Sequence, residues 1–150
     1  MSVTQTSDKN KEIVQRIYED CLNTGQLELL NQLVGQDFVG INGQKGPSAF
    51  AAIIQELRQG FPDIRWTIEE LITEGDRVVV RWRWQGTHRG SFRGIPASQK
   101  PMTNSAIAIY QLRDNKVVQT WIQTDRLGFL QQIGVVSPEL GSVPQSQKIN

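Results

Sequence analysis

A change in the spacing of apolar residues at Ile64 constrains the fold of this chain more than any other feature of its sequence. Before Ile64, apolar residues recur at the i, i+3, i+4 and i+7 positions of helices that pack on one side. After it, apolar and polar residues alternate for most of the remaining chain, as in strands with one buried face. Because strands and helices do not alternate, the pattern predicts an α+β domain with helices on one side of an antiparallel sheet.

Start and stop signals divide the first part of the chain into three helices. Glycine follows the first and second of them, and it ends helices readily because it accepts a left-handed backbone conformation. Proline precedes the third, and it suits the first helical turn because its missing N–H is not needed there. The expected helices run from Ser7 or Asp8 to Asn23-Thr24-Gly25, from Gln26 to Val34, and from Ser48 to Gln59 with Pro47 in the first turn.

Turn residues divide the alternating part into four strands and a short final helix. Tight turns fall at Glu74-Gly75-Asp76 and at Arg113 to Lys116, and a longer irregular segment separates the second strand from the third. The expected strands are Arg65–Thr73, Arg77–Thr87, Thr103–Leu112 and a last one from Val117 toward Asp125, followed by helical spacing to Gly134.

Length and composition indicate one soluble domain. The 150 residues suit a single hydrophobic core, which we place at residues 9–136, between a flexible N-terminus (1–8) and a flexible tail (137–150). A net charge of +1 supplies no field that would attract nucleic acid or an anionic membrane. The polar first residues and the lack of a long apolar run argue against a signal peptide and a membrane span, so we expect a cytoplasmic protein.

Few side chains in this composition suit metal binding or nucleophilic catalysis. The single cysteine, Cys21, lies on the apolar stripe of the first helix, and the single histidine, His88, cannot form a histidine-rich metal site. There is no GxSxG motif, and the glycines between positions 40 and 47 lack the spacing of a phosphate-binding loop. We therefore expect no metal and no cofactor.

Asp125 lies where the last strand meets the last helix, and two interpretations of it remain open. Its carboxylate can cap the helix by accepting a hydrogen bond from the amide of Gly128 or Phe129. Alternatively, it points along the same face as Trp121 into a cavity, where removal from water would suit it to general acid or base catalysis.

Aromatic residues dominate one face of the predicted sheet. Arg81 and Arg83 alternate with two tryptophans and so belong to the outer face, where solvent or a dimer interface covers them. A curved sheet over helices leaves a hollow that can hold a ligand, and we expect His88 to line it beside Asp125. The residues expected to bind a ligand there are Trp82, Trp84, Tyr110 and Trp121.

Two long segments carry a family resemblance. They are GTHRGSFRGIPASQKPM, from Gly86 to Met102, and DNKVVQTWIQTDRLGFLQQIG, from Asp114 to Gly134. Shorter matches occur at Asn23-Thr24-Gly25, Asp37-Phe38-Val39 and Phe61-Pro62-Asp63. Together these segments resemble the SnoaL-like polyketide cyclases and the related ester cyclases of the nuclear-transport-factor-two-like superfamily, from about Lys9 to Val136.

The resemblance implies a cone-shaped α+β barrel with three N-terminal helices on a strongly curved, mostly antiparallel sheet and a short C-terminal helix. It implies homodimers that pair through the outer face of the sheet. It also implies a cofactor-independent intramolecular aldol cyclisation of a hydrophobic, carbonyl-containing molecule in a buried pocket. Asp125 would remove a C–H proton and return it to the new alkoxide, while His88 would steady a developing oxyanion or orient the ligand.

Alternatives to cyclisation remain open within this superfamily, because one fold serves cyclases, isomerases, dehydratases, epoxide hydrolases and proteins that only bind. Many relatives carry a histidine just before the final-strand tryptophan, where this chain has Gln119-Thr120. That departure favours a non-catalytic, dimeric binder of a hydrophobic small molecule. An enzyme of the epoxide-hydrolase or dehydratase type needs Asp125 and an arginine on one water, and we expect Arg126 to point away.

Overall fold

The computed structural model describes residues 2–40 and 43–141. The sheet contains β1 (Arg65–Glu74), β2 (Arg77–Thr87), β3 (Pro101–Arg113) and β4 (Lys116–Thr124). The helices are α1 (Val3–Arg16), which a π-helical turn (Ile17–Leu22) extends, then a 3₁₀ turn (Leu27–Leu29) with α2 (Leu30–Leu33), α3 (Pro47–Gly60) and α4 (Arg126–Gln132). The predicted α+β class is confirmed.

The four strands form one antiparallel sheet in the order β1-β2-β3-β4. Alternation gives the sheet an inner face toward the helices and an outer face with arginine and glutamate side chains. On the inner face Trp82 lies opposite Ala106, and Val78 lies opposite Tyr110. The core therefore lies between this inner face and the helices.

The first helix begins at Val3, five residues or so before the expected start. Ser2 caps it by accepting a hydrogen bond from the Gln5 amide at 3.2 Å, and the Gln5 side chain accepts one from the Ser2 amide. This reciprocal capping box supplies partners for two amide groups that the helix leaves free. The prediction that Ser7 or Asp8 caps the helix is therefore wrong.

A π-helical turn joins α1 to the rest of the molecule. The amide of Asn23 donates to the carbonyl of Tyr18 at 3.0 Å, five residues back, so the helix is locally widened. Tyr18 and Cys21 lie in this turn and are both buried. Asn23 then fastens the turn to β1, because its side chain exchanges two hydrogen bonds with the backbone of Trp66 at 2.7 and 2.9 Å.

The irregular segment between β2 and β3 folds back onto the end of α3. The amides of Arg89 and Gly90 both donate to the carbonyl of Gly60, at 3.1 and 3.0 Å. A Cβ atom on Gly90 would lie 2.0 Å from the carbonyl oxygen of Gln59, so only glycine fits this approach. The segment therefore forms a fixed wall above the sheet.

The C-terminal part of the chain ends in turns after α4, up to residue 141. Most of the expected flexible tail, residues 142–150, lies outside the described residues. Within residues 2–40 and 43–141, no helix is long and apolar enough to cross a membrane.

Candidate functional site

A hollow of about 340 Å³ lies between the inner face of the sheet, α3, α4 and the irregular segment before β3. Trp82 and Trp84 form its sheet side, as expected from the alternation of β2. Phe92 and Phe129 close it from the irregular segment and from α4. The hollow is therefore aromatic on two opposite sides, which suits a flat, largely apolar ligand.

The aromatic rings around the hollow hold one another in place. The ring of Phe129 packs edge-on against Trp84 at 6.2 Å and against Phe92 at 5.7 Å, measured between centroids. Phe61 lies behind them, 5.1 Å from Trp84. Because each ring contacts at least one other, the wall is formed before any ligand arrives.

Polar groups occur at two places in the hollow. Asn104 and Thr124 lie on the inner face of β3 and β4, and Arg93 and Arg126 come from the segments that close the hollow. Arg93 forms a paired ion contact with Glu56, at 2.8 and 3.2 Å, which lowers the pKa of that carboxyl. Among the described residues, no carboxylate lines the hollow.

None of these polar residues was predicted to line the hollow, although the position of Asn104 could have been inferred from the strand pattern. Asn104 shares the even-numbered alternation of Met102, Ala106 and Tyr110, so its inward direction follows from the strand pattern. Arg126 lines the hollow, contrary to the expectation that it points away. Its direction depends on how α4 turns over the sheet, which the strand pattern does not determine.

Asp125 caps α4 and does not line the hollow. Its Oδ1 accepts a hydrogen bond from the Gly128 amide at 2.9 Å, and the side chain is exposed. A Cβ on Gly128 would lie 2.2 Å from the other carboxylate oxygen, so glycine makes this cap possible. Asp125 borders a depression on the outer side of the sheet together with Arg81 and Glu69. The capping interpretation is thus the one observed, and the predicted catalytic role stays a prediction.

Trp121 lies on the outer face, so its expected place in the hollow is wrong. It pairs with Ile109, it is 41% exposed, and the guanidinium of Arg77 lies 5.0 Å from its ring centre. The reason is a β-bulge: Leu112 pairs with Val117 and Gln111 with Gln119, which leaves Val118 as an extra residue. The bulge reverses the alternation, so that Val117 points inward and Trp121 outward.

His88 is fully buried beside Phe61, whose ring centre is 5.3 Å away, and it does not line the hollow. Its Nδ1 accepts a hydrogen bond from the Ser98 amide at 3.2 Å and lies 3.0 Å from the Ser98 hydroxyl. Because Nδ1 accepts this hydrogen bond, the ring hydrogen lies on Nε2, which has no partner among the described residues. The structure does not bring His88 and Asp125 together.

Tyr110, which we expected in the lining of the hollow, is buried and does not line it, and its hydroxyl contacts Tyr18, which was not among the expected site residues. Its hydroxyl lies 2.5 Å from that of Tyr18 in the π-helical turn. Burial raises the pKa of Tyr110 to about 12, and it also raises the pKa of Tyr18 well above its ordinary value. Both tyrosines therefore remain protonated at neutral pH.

A second, wider groove of about 780 Å³ lies on the surface between the α2 region and α3. Glu28, Asn31, Gln55 and Arg58 contribute to its lining, which includes no aromatic side chain from residues 2–40 and 43–141. A polar, open groove of this kind suits water better than an apolar ligand. The aromatic hollow is therefore the better candidate site despite its smaller volume.

A curled antiparallel sheet with helices on its inner face defines a class of small α+β proteins. Within that class, the chain matches the family of SnoaL-like polyketide cyclases over residues 12–133. It therefore belongs to the SnoaL-like polyketide cyclase family, as its resemblance implied, and cyclase-type function is the activity associated with that family. No curated protein matches the chain.

Solved structures agree with this assignment. A proposed SnoaL-like polyketide cyclase from Jannaschia sp. CCS1 is similar at 24% identity and a TM-score of 0.79, covering 91% of this chain and 99% of that one. A proposed polyketide cyclase from Acidithiobacillus ferrooxidans is 27% identical, with a TM-score of 0.75 and coverage of 89% and 97%. IdmH, a proposed polyketide cyclase from Streptomyces antibioticus, is 25% identical, with a TM-score of 0.71 and coverage of 84% and 99%.

Proposed function

We propose that this protein is a cofactor-independent, cyclase-type enzyme that binds a hydrophobic, carbonyl-containing small molecule in the aromatic hollow. The observation that carries the proposal is the wall formed by Trp82, Trp84, Phe92 and Phe129 around about 340 Å³. Flat conjugated molecules stack favourably on such rings. Arg93 and Arg126 lie at the same hollow and favour a ligand rich in carbonyl or acidic oxygen atoms.

Binding is tested by titrating the protein with a water-soluble hydroxylated anthraquinone and following tryptophan fluorescence and heat. We expect saturable binding that Trp84→Ala weakens at least tenfold, because the substitution removes a stacking surface and opens the cavity. Trp121→Ala is the matched control, since that tryptophan lies on the outer face. Equal loss in both variants, or no saturable binding, would contradict the proposed site.

We further propose Asp125 as the acid–base group of an intramolecular aldol cyclisation or a related isomerisation. Its support is its position between Thr124 and Arg126, both of which line the hollow, and its match to the family motif. To act, its carboxylate must leave the Gly128 amide and turn inward by rotation about its side-chain bonds. His88 does not line the hollow, so it would assist by orienting an adjacent group through its unpartnered Nε2 hydrogen.

The acid–base role is tested with Asp125→Asn, which retains the shape and the capping ability of the side chain. On a substrate found by screening polyketide-like carbonyl compounds, we expect turnover to fall by about a hundredfold or more while ligand affinity changes little. Glu139→Gln, far along the chain, serves as a charge-matched control. Full turnover by Asp125→Asn would remove Asp125 from the mechanism.

A non-catalytic binder is the second candidate function, and a specific observation favours it. In this structure Asp125 caps α4, and no carboxylate among the described residues lines the hollow. Binding of the ligand with no reaction in any screened compound, together with unchanged affinity in Asp125→Asn, would support this reading. An epoxide-hydrolase or dehydratase type of chemistry would likewise require Asp125 to turn inward, beside Arg126, which lines the hollow.

We also propose a homodimer that forms through the outer face of the sheet, and a location in the cytoplasm. The outer face exposes Ile72, Ile107 and Trp121, whose exposed fractions are 53%, 53% and 41%. Apolar side chains grouped on one sheet face are a common feature of protein interfaces. The lone, buried Cys21 suits a reducing compartment.

A further inference from the structure

A cluster of buried hydrogen-bond donors lies behind the wall of the hollow. The hydroxyl groups of Tyr18 and Tyr110 are 2.5 Å apart, and one must donate to the other. Trp82 lies beside Tyr18, with 6.3 Å between ring centres. Thr120 lies directly opposite Tyr110 on the inner face of the sheet. Strands β2, β3 and β4 and the π-helical turn thus each supply one member.

The donors in this cluster outnumber their hydrogen-bond partners. The indole N–H of Trp82 and the hydroxyl of Thr120 are both buried without a partner among the described residues. An indole nitrogen can only donate, so it needs an oxygen or nitrogen acceptor. The Tyr18–Tyr110 bond uses one of two hydroxyl hydrogens, so the other remains available to a further acceptor. Burial raises the pKa of both tyrosines, so both retain their hydrogens at neutral pH.

An unpartnered buried donor costs free energy, and proteins retain such groups where a ligand supplies the missing acceptor. Trp82 belongs both to this cluster and to the lining of the hollow. Along β4, Thr124 in the lining of the hollow and Thr120 in the cluster point to the same inner face, with only Ile122 between them on that face. The π-helical turn, a distortion common at functional sites, places Tyr18 here.

We propose that this cluster is an oxygen-binding subsite of the hollow, in which the N–H of Trp82 and the hydroxyls of Thr120 and the tyrosine pair bind a carbonyl oxygen of the ligand. These neutral donors would also stabilise the enolate oxygen that forms when a proton leaves the carbon next to that carbonyl. The proposal rests on the proposed function, since it requires a ligand in the hollow. It adds a ligand specificity to that function, namely for a ring system with a carbonyl group at the end that is buried in the protein.

The test compares two ligands of nearly equal shape and charge, anthraquinone-2-sulfonate and anthracene-2-sulfonate, by calorimetry. Only the first carries carbonyl oxygens. We expect the wild-type protein to prefer the quinone by about tenfold, the effect of one or two net hydrogen bonds. Thr120→Val and the double variant Tyr18→Phe/Tyr110→Phe should each reduce that preference severalfold while leaving the affinity for the anthracene unchanged. Thr67→Val, on an exposed strand position, is the control.

A spectroscopic readout separates hydrogen bonding from packing. We expect the carbonyl stretch of the bound quinone to lie at lower frequency in the wild type than in Thr120→Val, because hydrogen bonds weaken the C=O bond. Equal affinity of the wild type for both ligands would overturn the subsite and leave the proposed binding hollow intact. A preference that survives in both variants would also overturn it. Binding of neither ligand would overturn the subsite and the hollow together.

Discussion

Asp125 caps α4 and is also our candidate acid–base group. Substitutions by asparagine and by alanine separate these two roles. Asparagine keeps an acceptor oxygen for the Gly128 amide but cannot take up a proton as a carboxylate does. Alanine removes both properties. The stability of the two variants therefore reports the cap, whereas the difference between their activities and that of the wild type reports the chemistry.

We expect Asp125→Ala to lower the free energy of unfolding by about 1 kcal/mol, the usual cost of losing a helix cap, and Asp125→Asn to lower it by a few tenths at most. Urea unfolding at neutral pH measures both. Lys11→Ala, at an exposed position of α1, controls for small losses at the surface. An equal loss in the alanine and asparagine variants would mean that the Gly128 hydrogen bond contributes nothing.

The tyrosine pair makes a separate prediction about stability. Tyr18→Phe removes one hydroxyl and leaves that of Tyr110 buried with fewer partners, so we expect a loss of about 1–3 kcal/mol. Tyr110→Phe should have a similar effect. The double variant should lose clearly less than the sum of the two, because neither partner is then left behind. Additive losses in a double-mutant cycle would mean that the two hydroxyls do not interact.

At the scale of elements, the alternation of apolar and polar residues predicted the four strands correctly. For β4, however, it did not predict which side chains point inward. The even-numbered positions of β2 and β3 point inward throughout, so Trp82 and Trp84 could be placed from the sequence alone. On β4 the extra residue Val118 reverses the alternation, and Trp121 consequently faces outward. A bulge depends on the pairing of two strands and leaves no mark in the sequence of one, so this reversal was not predictable.

Other differences have similarly local causes. The start of α1 was misjudged because Ser2 and Gln5 form a capping box, which outweighs a weaker signal at Ser7 or Asp8. The carboxylate-free lining of the hollow depends on how α4 and the segment after β2 close over the sheet. The positions of these two segments depend on contacts between residues that are far apart in the sequence, such as Phe92 and Phe129.

The wall of the hollow depends on close contact between the segment after β2 and α3. We expect Gly90→Ala to lower the free energy of unfolding by about 2–3 kcal/mol, because its Cβ would overlap the carbonyl of Gln59 and force the segment away. Ser91→Ala, at the exposed neighbouring position, should change it by no more than about 0.5 kcal/mol. Thermal unfolding of both variants measures the difference, and similar melting curves would contradict the contact.

The carboxylate of Asp63 binds the same end of β2, and its contribution to the stability of the fold depends on pH. Burial acts to raise the pKa of Asp63, but hydrogen bonds from the amide and hydroxyl of Thr87, at 2.7 and 2.8 Å, outweigh it and the pKa is lowered. The unfolded chain therefore binds this proton more readily, so the stabilisation is present above the ordinary aspartate range and is lost as the pH falls through the folded value.

We accordingly expect Asp63→Asn to be less stable than the wild type at pH 7 and to lose less stability between pH 5 and pH 3. Urea unfolding at several pH values gives both slopes. Glu56 and Glu69 also have lowered pKa values, because Arg93 bonds the first and Arg83 and Arg81 bond the second, so the wild-type slope contains their contributions too. If the free energy of unfolding changed with pH equally in the wild type and in Asp63→Asn, Asp63 would not contribute to the pH dependence of stability.

At the scale of the whole molecule, the outer face of the sheet is the surface through which we propose that two copies pair. If two copies pair there, a charge at its centre should separate them. We expect Ile107→Lys to convert a dimer to a monomer in sedimentation experiments at about 50 μM, since an unpaired charge would be buried in the interface. Lys11→Glu, on the exposed side of α1, is the control. A monomeric wild type at that concentration would remove the proposed dimer.

The π-helical turn at the end of α1 has the geometry of a regular helix with one residue added. Removing a residue there, for example Glu19, would restore ordinary helical spacing and rotate everything before it by about 100° relative to the rest of the molecule. Ile13 and Val14 would then turn away from the core that they now fill. The extra residue therefore sets the rotation of the helix before it relative to the rest of the molecule. Deleting one residue from the turn would also turn the side chain of Tyr18 away from its present inward direction.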